Sequence, residues 1–188
     1  MDTQGDIRLL SLSHVRDYVV NSRECDADSG TQGRHYHPYS RDDPYDVDAL
    51  TERNSKRWST PLTEPGWRRA WAWICDGQML GQATLVGGSL QSDLHRVGLG
   101  MGLLPAYRGM GGGSRLLQAA IDWARAQPTI DWIDLGVFAD NGPAQSLYLK
   151  FGFVEQGRTP DQYRVEGAVL DNIAMCLFVG REATKHAL

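Results

Sequence analysis

At 188 residues, 41% hydrophobic and 22% charged, the chain is long enough for one well-buried core and short for two. A net charge of −4 and a pI near 5.7 argue against a nucleic-acid footprint, and no apolar run approaches the roughly 20 residues of a membrane span. Cys25, Cys75 and Cys176 are odd in number and widely spaced, which reads as reduced thiols in a cytoplasmic protein. Met1 to Asp6 lacks the charged and apolar pattern of a secretory leader.

Ile7 to Ser13 reads as a strand and His14 to Glu24 as a short helix. Asp26 to Pro44 is polar, rich in Gly, His, Tyr and Asp, and shows no apolar periodicity. A helix over Asp46 to Trp58 carries a thin stripe of Val47, Leu50, Asn54 and Arg57, and Pro61 and Pro65-Gly66 end it. Trp67 to Cys75 and Leu80 to Gly88 read as a hairpin about Asp76-Gly77; Trp67, Trp71 and Trp73 fit core or interface packing. The loop Ser89 to Asp93 leads to a strand over His95 to Leu104. After a glycine-rich turn, Leu116, Leu117, Ala120, Ile121 and Ala124 make the buried face of a helix. Ile130 to Val137 is a strand, a helix starts at Asn141, and Phe153 to Gln156 begins another strand. Gln162 to Val165 and Val169 to Val179 form a hairpin around Glu166-Gly167, and Arg181 to Leu188 reads as a loose tail. Without repeats or a linker, the expectation is one α/β domain over residues 1–188, ordered over about 7–179, with a mixed, mostly antiparallel sheet flanked by helices.

The densest signal is Arg108-Gly109-Met110-Gly111-Gly112-Gly113-Ser114, set between a strand and a helix. Glycines let backbone N–H groups converge on an anion, and a helix N-terminus adds positive potential. A plain flexible turn is the other reading. The Walker pattern fails for want of a Gly-Lys pair, and the dinucleotide fingerprint fails because Ser114 stands where its third glycine belongs. What fits is R-x-x-G-x-G, filled by Arg108, Gly111 and Gly113. A second segment runs from Leu135-Gly136-Val137 through Asn141, Pro143, Ala144 and Leu147-Tyr148 to Gly152-Phe153. Asn141 suits an N-cap, Pro143 a first turn, and Gly152 a C-terminal stop.

Together the two segments resemble the signatures of the GCN5-related N-acetyltransferases, the GNAT superfamily, in detail over Val97 to Phe153 and more faintly through Met175. Nothing before Trp67 carries the likeness. The resemblance implies the GNAT acyl-CoA acyltransferase fold, with acetyl-CoA as co-substrate. Its pantetheine arm would lie between two splayed strands against the backbone of Met101, Gly102 and Leu103. Arg108, Gly109, Met110, Gly111, Gly112, Gly113 and Ser114 would hold the pyrophosphate. Asn141 would be helix cap, pantetheine contact or both. Tyr148 matches the family's general acid, with a core tyrosine as the other reading.

Many family members place a glutamate in one of those two strands, but here Gly98 and Gly136 stand at those places, so the base is unassigned. Asp93, His95, His35 and His37 are the candidate relays. His35, Tyr36, His37 and Tyr39, with Asp42 and Asp43 beside them, are the candidate acceptor-binding residues, since aromatic faces and carboxylates attract a cationic amine. His35-x-His37 lacks further ligands at metal-binding spacing, so no metal is expected. The expected activity is acetyl transfer from acetyl-CoA to a primary amine of a small molecule or peptide by direct attack. The alternative is a non-catalytic acyl-CoA-binding regulatory domain. Neither nucleic acid nor membrane is expected as a partner, and a homodimer stays open.

Overall fold

The computed structural model describes residues 5–31 and 34–180. The tail read as loose, Arg181 to Leu188, lies outside the described residues, as do Gly33 and the first four positions. One sheet of seven strands holds the described residues together: β1 (Asp6–Leu9), β2 (Arg68–Cys75), β3 (Gln78–Gly87), β4 (Arg96–Leu103), β5 (Trp132–Phe138), β6 (Val154–Val165) and β7 (Ala168–Phe178). Their spatial order is β1-β2-β3-β4-β5-β7-β6, and every neighbouring pair is antiparallel except β4 and β5. Helices α1 (Val15–Cys25), α2 (Val47–Ser59), α3 (Gly112–Ala126) and α4 (Gly142–Lys150) cover it. The mixed, mostly antiparallel sheet expected from the sequence is present.

Side-chain size along β2 sets the two faces. Trp67, Trp71 and Trp73 are buried in the larger core with Leu116, Leu117, Ala120 and Ile121 of α3. Trp123 of α3 meets Trp67 and Trp71 with ring centroids 5.9 and 5.4 Å away, so the tryptophan stripe is core. On the opposite face Ala70 and Ala72 leave little bulk, and α1 and α2 close there through Val15, Tyr18, Val19 and Trp58. Burying three large aromatic rings against one helix stabilises the fold through apolar area, at about 25 cal/mol per Å².

Two stretches differ from the sequence expectation. The first strand stops at Leu9, because Leu12–His14 turns into a 3-10 segment in which the Ser11 hydroxyl lies 2.8 Å from His14 Nδ1. The segments starting at Phe153 and Gln162 are one strand, β6, whose register with β7 shifts between Thr159 and Tyr163. Pro160 lies in that shift and offers no N–H to the ladder, which is why the pattern reads as two pieces.

Gly112 is fixed by packing. A Cβ there would sit 2.1 Å from Cε3 of Trp73, so only glycine lets the start of α3 rest on that ring. We expect Gly112→Ala to destabilise the protein by about 1–3 kcal/mol through overpacking, even though alanine is the better helix former by up to about 1 kcal/mol. A denaturant midpoint equal to or above that of the wild type would show that the ring moves aside.

Candidate active site

Parallel pairing between β4 and β5 lasts for three residue pairs, Arg96 with Trp132, Val97 with Ile133 and Gly98 with Asp134. Beyond them the strands part. β4 stays paired to β3 out to Leu103, and β5 stays paired to β7 out to Phe138, so each keeps one edge without a strand partner. Two open edges facing one another can accept an extended polar chain as an added strand would. A cleft of about 880 Å³ fills the gap, lined by Leu99 to Leu103 on one side and Leu135 to Phe138 on the other.

The cleft continues to the glycine turn. Gly109 and Gly111 have φ of 78° and 83°, values that side chains rarely adopt, and no heavy atom approaches their open Cα faces within 4 Å. Six successive amides, Gly109 to Ser114, donate to no protein acceptor among the described residues. They stand at the N-terminus of a 15-residue helix, where the helix dipole adds positive potential. Gly109, Gly111, Gly113 and Ser114 line the cleft. Met110 does not; its side chain is half-exposed, and Gly112 faces Trp73 instead.

The Arg108 guanidinium is taken up by protein groups. It donates to both Asp28 carboxylate oxygens at 2.7 and 2.9 Å, to the Cys25 carbonyl at 2.8 Å and to the Leu103 carbonyl at 3.3 Å. It also lies 4.4 Å from the centre of the Tyr36 ring. Arg108 therefore ties the end of α1 and the segment after it to the end of β4.

On the far wall Asn141 caps α4 by accepting from the Ala144 N–H at 3.2 Å, and Asn141 and Tyr148 line the cleft. Tyr148 is 8% exposed and packs on Phe153, and its hydroxyl has no protein partner among the described residues. Burial pushes its phenol up to about 12, so it is protonated at neutral pH.

Tyr36 and Pro38 join Phe138, Tyr163 and Asn172 around the cleft, together with Cys25 and Asp26. His35, His37 and Tyr39 are not in that lining: His35 is buried, while Tyr39 is mostly exposed and stacks on His37. The candidate relays Asp93 and His95 lie outside the cleft too, and Asp93 accepts from the Leu90 N–H of its own turn. Gly98 leaves open space, whereas a Cβ on Gly136 would meet the Asn172 side-chain oxygen at 2.8 Å. Asn172 thus occupies the region beside Gly136. Sequence reasoning missed Asn172, Asp26 and Tyr163, which lie in segments without a motif and meet only through the fold.

Glu166, in the β6–β7 turn, fastens this wall. It accepts from the Arg41 N–H at 2.8 Å, from the Arg41 guanidinium at 3.0 Å and from the Ser40 hydroxyl at 3.1 Å. Those bonds, the Arg41 backbone first, hold its carboxyl down at about 2. Among the described residues there is no cluster of potential metal ligands, and no helix is long and apolar enough to cross a membrane.

A split sheet whose open edges lead to a row of free amides at a helix start defines an acyl-CoA-binding α/β fold. The chain belongs to the acetyltransferase (GNAT) family, whose profile it matches over residues 34–153. That match starts well before Trp67, where the sequence alone shows no likeness. The family is one of acetyltransferases, with acetyl-CoA as co-substrate. Over 76 residues the chain is 38% identical to the N-alpha-acetyltransferase RimI of Mycobacterium tuberculosis, a stretch covering 40% of this chain and 43% of that protein. The chain thus spans less than half of the curated relative it matches. Its fold is similar to that of yncA, a putative acetyltransferase from Salmonella typhimurium solved with acetyl-CoA, at a TM-score of 0.78 and 20% identity over 98% of this chain and 99% of that one. A GNAT-family acetyltransferase from Streptococcus pneumoniae aligns at 0.77 and 20% identity over 93% and 99%.

The Glu166 bonds have a pH signature. A depressed carboxyl stabilises the fold above its unfolded value of about 4.3, and that contribution fades as pH falls through about 2. We expect the protection of the Arg41 amide, measured against its intrinsic exchange rate, to be high at neutral pH and to be lost as pH falls from about 4 through about 2. Glu166→Gln should show weak protection at Arg41 with little pH dependence over that range, with CoA affinity unchanged. Equal protection in both proteins would mean that Glu166 does not hold the wall.

Proposed function

We propose that the protein transfers the acetyl group of acetyl-CoA to a primary amine of a small molecule or peptide by direct attack. The observation that carries this reading is the parting of β4 and β5 into a cleft that ends on the six free amides of Gly109 to Ser114. Pyrophosphate suits those amides, because each can donate a charge-assisted hydrogen bond without giving up a protein partner. The open edge over Met101, Gly102 and Leu103 suits the two amides of pantetheine. One N–H of that edge polarises the thioester carbonyl as charge builds on its oxygen.

Tyr148 is the proton donor to the departing sulfur. Its unpartnered hydroxyl faces the cleft from an apolar setting that keeps it protonated. The same burial makes a free phenolate costly, so its proton must be replaced as it leaves. Arg108 acts as a positioning residue, tying the acceptor-side wall to the strand under the thioester. The acceptor-side residues are Tyr36, Pro38, Phe138 and Tyr163. A non-catalytic CoA-binding domain needs no acid donor, and Tyr148 favours the enzyme over it. Three cysteines without a disulfide fit a cytoplasmic setting.

Two measurements test this reading. CoA at 100 times its dissociation constant should stabilise the fold by roughly 2.7 kcal/mol, and Gly111→Asp should remove that shift by placing a strained residue and a negative charge at the amides. An undiminished shift in a folded Gly111→Asp variant would remove the pyrophosphate assignment. Acetyl-CoA turnover over a panel of amines then separates enzyme from binding domain, and Tyr148→Phe should keep CoA affinity while lowering kcat by about 10²–10⁴. Wild-type turnover by the Phe variant would reduce Tyr148 to packing.

A further inference from the structure

The cleft holds one acid. Among the described residues lining the cleft, Asp26 is the only carboxylate and there is no histidine. It directly follows Cys25, the last residue of α1, and Cys25 packs on β4: a Cβ on Gly102 would lie 2.9 Å from Cys25 Cβ. The end of α1 thus rests on the strand segment that the proposed function assigns to the thioester. Arg108 fixes it there through the Cys25 carbonyl.

The neighbouring acids are already committed. Asp28 is bidentate with Arg108, and Glu166 is bound to Arg41 and Ser40. The Asp26 carboxylate accepts no hydrogen bond from the described residues. His37, Arg108 and Arg23 favour its charge and Asp28 opposes it, while burial outweighs the cations and pushes the carboxyl above the usual range. A desolvated, unbonded carboxylate is costly and needs a cationic donor. The adjacent Cys25 thiol, raised to about 12 mainly by burial, stays protonated and does not compete.

We propose that Asp26 is the acceptor-side catalytic residue, which binds the substrate's primary ammonium and takes one of its protons. This rests on the acetyl-transfer reading above. The ammonium gives one proton to Asp26, and the freed nitrogen pair forms the C–N bond with the acetyl carbon. The C–S bond breaks with its pair on sulfur, which takes the Tyr148 proton. The second nitrogen proton restores the phenol, and Asp26 releases its proton to solvent. One carboxylate among Tyr36, Pro38, Phe138 and Tyr163 suits a monocation on an apolar or aromatic arm.

The test compares wild type, Asp26→Asn and Asp26→Glu, each saturated with CoA, by calorimetric titration with phenethylamine and with its neutral analogue 2-phenylethanol. In wild type the ammonium should bind more tightly than the alcohol. In Asp26→Asn it should bind about 10- to 100-fold more weakly, with alcohol and CoA affinities unchanged, and Asp26→Glu should recover part of the loss. With acetyl-CoA, wild-type kcat/KM should show an acid limb set by a carboxyl, while the Asn variant follows the free amine instead. Equal ammonium affinity in wild type and Asn variant, or no wild-type preference for the ammonium, overturns the proposal. Asp26-dependent ammonium binding without turnover would sink the acetyl-transfer reading and leave the Asp26 site standing.

Discussion

The structure depends on one constraint, that a continuous sheet must come apart in its middle without losing its core. Only three residue pairs join β4 to β5. Each strand survives the separation because its outer edge is held along its length, β4 by β3 and β5 by β7. Beneath the split, Val97, Ile133 and Leu135 remain in one buried cluster with α3. The backbone groups left over at the gap are the ones a polar, extended ligand needs. Removing a strand pairing thus creates the site, and the apolar layer under it supplies the stability that the missing ladder would have given.

The same economy appears around Arg108. A cation beside a phosphate loop suggests a phosphate ligand, yet this guanidinium satisfies its donors on Asp28, Cys25 and Leu103 and lies over Tyr36. Its work is mechanical. It joins the loop that ends β4 to the segment after α1 that lines the cleft, while Glu166 fastens that segment to the β6–β7 turn. This wall of the cleft is therefore held at two points by ion pairs, one of them adjacent to the amide row. Two half-buried pairs of this kind contribute orientation more than net stability.

Much of this was legible in the sequence where the determinant is local. The apolar face of α3, the Asp76-Gly77 turn, the Asn141 cap and the glycine run each follow from a few adjacent residues. The parts that were not legible rest on distant partners. Asp28 meets Arg108 from 80 residues away, and Arg41 meets Glu166 across 125. Asp26 reads as one more acid in a polar stretch until α1 sets its end on Gly102. Gly112 shows the converse, since a glycine within the glycine-rich pattern is dictated by a tryptophan on β2. The strand β6 was read as two because Pro160 interrupts its pattern, and pairing to β7 carries the chain across the break.

The contact between Gly112 and Trp73 has a consequence for how tightly the amide row can hold an anion. A glycine-rich turn in isolation samples many backbone states, and ordering it on ligand binding would consume about 1–2 kcal/mol of entropy per residue. Here the first residue of α3 rests against an indole ring that is itself fully enclosed. The helix start within the amide row is therefore fixed against the core before any ligand arrives. The entropic penalty is met when the chain folds, so an anion arriving at these amides would meet a preorganised surface.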